Sequence, residues 1–316
     1  MIGNCSLLTC GADDERTFER TDYESARARW CPGCGDHSVL TAVQKLLAAQ
    51  QLKPERTVFV SGIGCSSRFP HYLKTYGFHT LHGRALPVAT GIKLHRPDLD
   101  VFVVMGDGDC CSIGAAHWLH AVRYNVKMVA LLLDNNIYAL TKKQTSPTTQ
   151  QGVPSNTQPH GSYLPALNPL TVTLGVTNAS FVAQTIEWSP PHLDATLRAA
   201  FAHPGFAFVR VLQRCPAYMP DRFVDAVSDR SLVEQLVHGD GVSVPQLADV
   251  YKRQLTHDPS DLDRARQLAQ DGSQIRVGVF YRDASRPRYE QTRHQPVRTA
   301  QEKMAALEKE LDRYAV

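Results

Sequence analysis

Short apolar runs alternate with segments of helical periodicity along the first two thirds of the chain. The runs Thr57–Ser61, Val101–Met105, Met128–Leu133 and Phe206–Leu212 consist almost entirely of apolar residues. Such runs are typical of strands in a parallel sheet whose two faces are both covered. The segments between them place apolar residues three and four positions apart, which predicts helices. The pattern therefore predicts an α/β fold with a mostly parallel sheet flanked by helices.

The remaining segments divide the chain into three predicted regions. These are an N-terminal arm (1–25), a main domain (26–220) and a C-terminal extension (221–316). Inside the main domain, residues 144–170 are rich in Pro, Ser, Thr, Gln and Asn and predict a long loop over the site. The predicted helices begin after the N-cap candidate Asp36 and cover Arg84–Leu94, Ile113–Asn125, His192–Ala202, Ser231–Val237, Asp261–Ala269 and about Thr299–Tyr314. Thr171–Val176 is predicted to be irregular or a strand, and Ile275–Tyr281 a strand.

Three unusual loops follow three of the predicted strands. They are Gly62–Cys65, Gly106–Asp109 and Asp134–Ile137. Ligands of open parallel sheets bind beyond the carboxyl ends of the strands. The three loops are therefore expected to form one ligand site at the same edge of the sheet.

The second and third loops have the composition of a magnesium–diphosphate site. Mg²⁺ prefers hard oxygen ligands in octahedral geometry and usually keeps phosphate oxygens among them. Asp107 offers a carboxylate, Asn135 an amide oxygen and Ile137 a backbone carbonyl. Gly106 and Gly108 allow the backbone to approach a diphosphate closely. A Walker-type P-loop is excluded because the sequence contains no GxxxxGK[ST].

Four cysteines stand at positions that suggest a metal or redox site. Cys31 and Cys34 form a C-x-x-C pair, Cys65 follows a strand, and Cys215 with Pro216 follows the last predicted strand of the main domain. Four thiolates can hold a [4Fe–4S] cluster. Zinc and a thioredoxin-type redox pair remain alternatives, although zinc sites usually show two close pairs. Cys110 and Cys111 are predicted to be packed thiols, and no role is assigned to Cys5 and Cys10.

Composition and charge add few constraints. The chain has 316 residues, 43% of them hydrophobic, and a net charge of +3. This balance gives no reason to expect nucleic acid or a membrane as partner, and the absence of a signal segment predicts a cytoplasmic protein. Arginines recur near the C-terminus, where they form either a solvated tail or a docking surface for an acidic partner: Arg282, Arg286, Arg288, Arg293 and Arg298.

In combination, these motifs resemble the β subunits of the 2-oxoacid:ferredoxin oxidoreductase family over roughly residues 25–220. The matching stretches are WCPGCG (30–35), SGIGCS (61–66), HTLHGRALPVATGIK (79–93), GDGD (106–109), DNNIYALTKKQTSPTT (134–149) and the Cys215-Pro216 region. The resemblance implies a thiamine-diphosphate-binding domain and coenzyme A-dependent, reversible oxidative decarboxylation of a 2-oxoacid. The products would be acyl-CoA and CO₂, and the electrons would pass through the cluster to ferredoxin.

The resemblance also assigns roles to individual residues. Cys31, Cys34, Cys65 and Cys215 would bind the [4Fe–4S] cluster, and Asp107, Asn135 and Ile137 would bind Mg²⁺. The residues expected to line the thiamine diphosphate are Ile63, Gly64, Cys65, Ser66, His82, Gly106, Gly108, Asp109, Leu140 and Thr141. His82 is the candidate for a diphosphate or substrate contact, and Arg84 would anchor an anion or the partner chain.

The segment Leu140–Lys142 resembles family members that act on 2-oxoglutarate. Lys142 is expected to pair with the distal carboxylate of that substrate, although a solvated lysine is the alternative. Lys143 replaces the glycine that is usual in the family. Pyruvate is the alternative substrate.

A partner chain is implied because this sequence offers no glutamate that clearly activates the cofactor. The family resemblance places that glutamate and most of the coenzyme A site on an α subunit, with an (αβ)₂ assembly expected. Two other functions remain open. A non-redox thiamine-diphosphate decarboxylase or lyase subunit explains GDG and NN but not the cysteines. A metal-stabilised interaction protein explains the cysteines but not the GDG and NN loops.

Overall fold

The computed structural model describes residues 16–292 and 299–314, and its centre is one nine-stranded sheet. The strand order is β2-β1-β3-β4-β6-β5-β9-β7-β8. The strands are β1 (Thr57–Ser61), β2 (Tyr76–His79), β3 (Asp100–Gly106), β4 (Met128–Asp134), β5 (Phe181–Ile186), β6 (Phe206–Leu212), β7 (Val233–Val237), β8 (Arg253–Thr256) and β9 (Ile275–Arg282). Neighbouring strands run parallel except for β5 and β9, which pair antiparallel.

Helices cover both faces of this sheet. The helices of the described residues are α1 (Asp36–Ala49), α2 (Phe69–Tyr72), α3 (Ala85–His95), α4 (Ala115–Tyr124), α5 (Pro169–Gly175), α6 (Pro190–Ala202), α7 (Val224–Ser228), α8 (Leu262–Gln270), α9 (Tyr289–Thr292) and α10 (Ala300–Asp312). Helices α3, α4, α5 and α8 pack on one face, whereas α1, α2 and α6 pack on the other. The predicted mostly parallel α/β fold is therefore confirmed.

Strand β4 shows why an unbroken apolar run is needed at the centre. All seven of its residues are buried. Met128, Ala130 and Leu132 pack against the helices of one face, and the alternate residues Val129 and Leu131 pack against the other. Successive side chains of a strand point to opposite faces of the sheet. When helices cover both faces, the side chains on each face must therefore be apolar.

Several local predictions differ from the structure. Residues 169–175 form helix α5, whose N-cap Asn168 accepts a hydrogen bond from the Leu170 amide at 3.0 Å. Residues 233–237, predicted as part of a helix, form strand β7. Pairing with β9 and β8 buries Val233 in the cluster of Tyr251 and Val277 and Leu236 in a different cluster, and this packing overrides the helical spacing. Asp36 is the first residue of α1 rather than its N-cap, and its carboxylate is buried.

The C-terminal region continues the sheet of the main domain. Strand β9 pairs with β5, and β7 lies between β9 and β8. A separate apolar cluster, which includes Phe223, Tyr251 and Val277, covers this end. Arg286 forms an ion pair with Asp283 at 2.9 Å. The domain boundaries at 25 and 220 remain predictions, and Arg293, Arg298, Cys5 and Cys10 lie outside the described residues.

Helix α10 exposes three large apolar side chains, Met304, Leu307 and Leu311, and Tyr314 is exposed just after its end. In residues 16–292 and 299–314, no helix is both long and apolar enough to cross a membrane.

Two buried histidines predict how stability depends on pH. His192 and His203 are 2% and 1% exposed, and burial lowers the pKa of each to about 4. Between pH 6.5 and 4 the unfolded chain binds protons that the folded chain cannot, so stability present above pH 6.5 is lost as the pH falls. From pH 7 to pH 5 each histidine is expected to cost about 2 kcal/mol of unfolding free energy, measured by urea unfolding.

The matched variants separate this effect from general acid sensitivity. His192→Gln should reduce the loss of stability between pH 7 and pH 5, because one fewer proton is taken up on unfolding. The same change at exposed His120 should leave the pH dependence as in the wild type. An identical slope in the wild type and the His192→Gln variant would contradict the prediction.

Candidate active site

The carboxyl ends of β1, β3, β4 and β6 lie side by side at one edge of the sheet. Ser61 pairs with Val104, Gly106 with Leu133, and Asp134 with Leu212. After β1 the chain continues to β2 on one side, and after β3 it continues to β4 on the other side. The direction of the strand order therefore changes between β1 and β3. A crevice at such a switch in strand order is the expected ligand position in a parallel sheet.

A cavity of about 420 Å³, here called the diphosphate cavity, occupies this position. Its volume is within the range of small-molecule sites. It is lined by Ile63, Gly64, Cys65, Ser66, His82, Gly106, Asp107, Gly108, Asp109, Leu133, Asn135, Ile137, Tyr138, Ala139, Leu140, Thr141, Gln144 and Gln213. The structure thus brings together all ten residues expected to line the thiamine diphosphate and all three expected magnesium ligands.

Asp107 is held by hydroxyl groups of the long loop. Its carboxylate accepts hydrogen bonds from Ser146 Oγ and, at 2.6 Å, from Thr148 Oγ1. Thr148 Oγ1 also lies 2.9 Å from the carboxylate of Asp134. Burial raises the pKa of Asp107 to about 7, and the charge on Asp134 adds to the shift. A cation bound to Asp107 would stabilise this charge, so the donor set suits Mg²⁺.

The two asparagines after β4 have different functions in the loop. Asn136 adopts a left-handed conformation with φ +62° and donates its amide Nδ2 to Asp134 Oδ1 at 2.7 Å. Its backbone carbonyl accepts from Thr149 Oγ1 at 2.6 Å. Asn135 lines the diphosphate cavity, and its Oδ1 accepts from the Ile137 amide at 3.1 Å. Asn136 therefore fixes the turn that presents Asn135 to the cavity.

Asp109 organises the opposite wall of the cavity. Its Oδ1 accepts hydrogen bonds from the amides of Gly83 at 2.7 Å and Ile63 at 3.2 Å, and lies 2.8 Å from His82 Nδ1. A Cβ atom on Gly62 would lie 2.0 Å from Asp109 Oδ2, so only glycine fits there. Burial raises the pKa of Asp109, while the two amides and His82 oppose the shift. Asp109 thus holds the first loop and His82 in place.

Position 108 must be glycine because the Tyr138 ring leaves no room for a side chain there. A Cβ atom at this position would lie 2.1 Å from the Tyr138 ring, whose hydroxyl donates to the Gly108 carbonyl at 2.9 Å. The next five residues, Asp109–Ile113, form a π-helical turn. Such turns occur frequently at functional sites.

The four cysteines of the motifs line a second cavity, here called the cysteine cavity, of about 160 Å³. They are brought together by a loop before α1, by the end of β1 and by the segment after β6. Gly35 donates its amide to the Arg214 carbonyl at 3.2 Å, which ties the first loop to the last segment. A Cβ atom on Gly35 would lie 2.6 Å from Glu187, so this contact requires glycine.

The thiols fit a cluster by chemistry as well as by position. All four are free of disulfides. Burial raises the pKa of Cys65 to about 12 and that of Cys34 further, and both shifts are increased by Asp36 and by other thiols. Burial also raises the pKa of Cys215, whereas hydrogen bonds from the backbone amides of Ala217, Tyr218 and Met219 lower it. Gln213 Nε2 donates to Cys34 Sγ at 3.3 Å. A bound metal cation would stabilise thiolates in this setting, and N–H donors to sulfur are a feature of cluster sites.

Cys65 lines both cavities. Its carbonyl accepts a hydrogen bond from Trp30 Nε1 at 2.7 Å. The Trp30 ring packs against Phe69 and Tyr72, with ring centroids 5.3 and 4.8 Å away. The indole therefore fixes Cys65 and covers one side of the cysteine cavity with apolar surface.

The three residues proposed from the sequence to act on substrate are less closely grouped. His82 lines the diphosphate cavity, but Lys142 lines the cysteine cavity instead. Arg84 lines neither of them, and its guanidinium donates to the carbonyl of Ile113 at 3.3 Å. Lys142 and Lys143 have φ of +79° and +69°, a conformation that favours glycine, which explains why glycine is usual at the second position.

Residues Ser146 and Thr148 were missed by sequence reasoning. Both contact Asp107 from a loop about forty residues away along the chain, within the stretch TSPTT. The hydroxyl-rich composition of this stretch was the available signal. Within the residues that the structure describes, no three His, Cys, Asp or Glu side chains are placed to hold a single metal ion. The proposed Mg²⁺ site uses one carboxylate, and each iron of a cubane takes one thiolate, so neither requires such a group.

Comparison with known proteins agrees with this geometry. Residues 62–211 match the C-terminal TPP-binding domain of thiamine pyrophosphate enzymes, and residues 247–297 match the C-terminal region of pyruvate ferredoxin oxidoreductase β subunits. The 2-oxoglutarate oxidoreductase subunit KorB of Mycobacterium tuberculosis is 40% identical over 289 residues, 83% of this chain and 77% of that protein. A Sulfolobus 2-oxoacid:ferredoxin oxidoreductase β subunit is 36% identical over 269 residues, 83% of this chain and 84% of that protein.

A solved structure gives the same result. The 2-oxoglutarate:ferredoxin oxidoreductase of Magnetococcus marinus, determined with 2-oxoglutarate, coenzyme A and succinyl-CoA bound, superposes with a TM-score of 0.78 and 35% identity. The match covers 93% of this chain and 97% of that chain. This chain belongs to the family of 2-oxoacid:ferredoxin oxidoreductase β subunits.

Proposed function

We propose that this chain is the β subunit of an enzyme that oxidatively decarboxylates a 2-oxoacid, with 2-oxoglutarate favoured, in a reversible, coenzyme A-dependent reaction. The products are an acyl-CoA and CO₂, and two electrons pass to ferredoxin. The observation that carries the proposal is the contact between the two cavities at Cys65. One cavity has the residues for a magnesium-bound diphosphate cofactor, and the other has those for a redox cluster.

Each residue set has a defined task in this proposal. Asp107, Asn135 and the Ile137 carbonyl hold Mg²⁺, while Ser146 and Thr148 orient the Asp107 carboxylate. Cys31, Cys34, Cys65 and Cys215 hold the [4Fe–4S] cluster. When bound, thiamine diphosphate supplies an electron sink for decarboxylation, and the cluster accepts electrons one at a time.

The α subunit is proposed to supply the carboxylate that activates the cofactor and most of the coenzyme A site. The side chains of Ile63, Leu81, Ile113 and Leu140 are exposed, and Ile63 and Leu140 line the diphosphate cavity. A partner chain that covers the opening of the diphosphate cavity would exclude water from the reaction. The (αβ)₂ arrangement and the cytoplasmic location belong to the same proposal.

The test is enzymatic assay of the chain co-purified with its α subunit without oxygen. Reduction of ferredoxin should require both 2-oxoglutarate and coenzyme A. A non-redox thiamine-diphosphate lyase would instead release CO₂ without reducing ferredoxin, and that result would overturn the proposal.

The role of Lys142 is tested by substrate preference. Lys142→Ala should lower kcat/KM for 2-oxoglutarate by about tenfold relative to that for pyruvate, because only 2-oxoglutarate carries a distal carboxylate. Lys143→Ala is the matched control, since Lys143 lines neither cavity and has a similar left-handed backbone. Equal losses on both substrates would contradict the specificity role.

A further inference from the structure

The segment after β6 carries an arginine that reaches the loop with two of the proposed magnesium ligands. Residues 215–223 begin with Cys215, which lines the cysteine cavity. Near the end of this segment, Arg222 Nε donates a hydrogen bond of 2.6 Å to Asn136 Oδ1 in the loop after β4. Arg222 itself lines neither the diphosphate cavity nor the cysteine cavity. Any effect of Arg222 on a bound cofactor must therefore pass through the residue that it contacts.

Asn136 lies between the proposed magnesium ligands Asn135 and Ile137. Its φ of +62° is left-handed, a conformation that asparagine tolerates better than most residues but that still costs free energy. A rotation of the backbone at Asn136 would move the Asn135 side chain and the Ile137 carbonyl together. The geometry of both ligands therefore depends on the groups that hold Asn136 in this conformation.

Hydrogen bonds from three directions hold Asn136. Asp134 Oδ1 accepts from the Asn136 backbone amide at 3.1 Å and from Nδ2 at 2.7 Å, and Thr149 Oγ1 donates to the Asn136 carbonyl at 2.6 Å. Arg222 is the partner of the side-chain oxygen. Since an arginine side chain has only donors, Oδ1 must face Arg222 and Nδ2 must face Asp134. Arg222 thus fixes which way the side-chain amide of Asn136 points.

The first residues after position 220 hold Arg222 in place. The Arg222 guanidinium lies 4.3 Å from the centroid of the Phe223 ring, within cation–π range. Phe223 is buried in the apolar cluster that includes Tyr251 and Val277. Its φ of +70° is unusual for a bulky residue and costs free energy. Strain of this kind persists only where the surrounding packing fixes the residue, and it often occurs near functional sites.

Charge neutralisation does not explain the contact between Arg222 and Asn136. Asp134 is fully buried, and Arg210 already forms an ion pair with it at 2.6 Å. Arg222 donates to a neutral amide instead, and within residues 16–292 and 299–314 it forms no ion pair. Burial lowers the pKa of Arg222, so its guanidinium bears a desolvation cost. The orientation that it imposes on Asn136 offers a reason for this cost.

We propose that Arg222 is a positioning residue for the Mg²⁺–thiamine diphosphate site and acts through the side chain of Asn136. The inference rests on the proposed function, in which Asn135 and the Ile137 carbonyl bind Mg²⁺. It also gives the start of the C-terminal extension a task in cofactor binding. Phe223 anchors the segment in the apolar cluster, and Arg222 fixes the turn that presents both ligands.

The experiment measures how tightly the α-containing complex, prepared without oxygen and stripped of its cofactor, binds Mg²⁺ and thiamine diphosphate. In Arg222→Met the unbranched stem can still pack on Phe223, but no donor reaches Asn136. We expect the affinity for Mg²⁺ in the presence of thiamine diphosphate to fall about tenfold, because loss of a group that orients a metal ligand typically costs about ten- to hundredfold. The iron content of the same samples should stay at the wild-type value.

Arg230→Met is the matched control. Arg230 lies 5.6 Å from the centroid of the Tyr251 ring, which belongs to the same apolar cluster as Phe223. The substitution removes an arginine from a ring of this cluster without touching the loop after β4. Cofactor affinity should equal that of the wild type.

A second substitution tests whether Arg222 acts through Asn136. Glycine adopts a φ of +62° readily but has no side-chain amide. Asn136→Gly therefore removes the contact and leaves the arginine in place, and it should weaken cofactor binding by a similar factor. Adding Arg222→Met to Asn136→Gly should have no further effect, because two changes that remove the same interaction are not additive.

Four results would overturn the inference. They are wild-type affinity in Arg222→Met, wild-type affinity in Asn136→Gly, an undiminished further loss when the two changes are combined, and a fall in iron content that accompanies the loss of affinity. If Arg222→Met did not assemble with the α subunit, the affinity of Asn136→Gly would decide. Failure of the proposed function appears separately, as a wild-type complex that binds no thiamine diphosphate or does not reduce ferredoxin.

Discussion

The Asp107→Asn variant is expected to lose Mg²⁺ and thiamine diphosphate together, with at least a hundredfold drop in activity. Changes to residues that only support a metal ligand already cost about ten- to hundredfold. Asparagine keeps the volume of the buried side chain and removes a charge that burial and Asp134 disfavour. The metal-free variant should therefore unfold at the same temperature as the metal-free wild type or above it. Loss of cofactor without loss of stability is the expected signature.

The measurement is cofactor and magnesium content of the purified complex, together with thermal unfolding of the metal-free chain. Asp100→Asn is the matched control, because Asp100 lies at the opposite end of the same strand. It should retain both cofactor and activity. Retention of Mg²⁺-dependent cofactor binding by Asp107→Asn would refute the assignment of Asp107 as a metal ligand.

The Cys215→Ser variant is expected to lose the cluster. Iron should fall from about four per chain to a small fraction of that, and ferredoxin reduction should cease, because serine replaces the thiolate to which three backbone amides point. Binding of Mg²⁺ and thiamine diphosphate should continue, since Cys215 lines only the cysteine cavity. Iron analysis and cofactor content of the same anaerobic sample test both parts.

Cys110→Ser is the control for this substitution. Cys110 is buried but lies outside the cysteine cavity. Its replacement should leave the iron content unchanged. If Cys215→Ser kept four irons and a reducible cluster, or if Cys110→Ser lost them, the ligand set proposed here would be incorrect.

The sequence predicted the central strands well because their burial leaves few alternatives. Strands β1 and β6 begin and end at the predicted residues, and β4 is longer by one residue. Covered on both faces, these strands must be apolar throughout, and that constraint is visible in a single sequence. The short edge strand β2, whose residues are all exposed, carries no such signal and was not predicted.

The parts of the site that depend on long-range contacts could not be predicted. The hydroxyls of Ser146 and Thr148 reach Asp107 only because the long loop folds back over the diphosphate cavity. Asp36 was assigned as a cap from its residue type alone, whereas the packing of the cysteine loop buries it. Residue type and spacing identify candidates, and tertiary contacts decide their function.

The decisive measurement is the iron and acid-labile sulfide content of the complex purified without oxygen, with a low-temperature EPR spectrum of the reduced sample. The proposed function predicts about four irons and four sulfides for each copy of this chain, in excess of any clusters of the partner, and a reducible cluster signal that Cys215→Ser removes. A well-folded complex that holds thiamine diphosphate but contains zinc or no metal at these cysteines would contradict it.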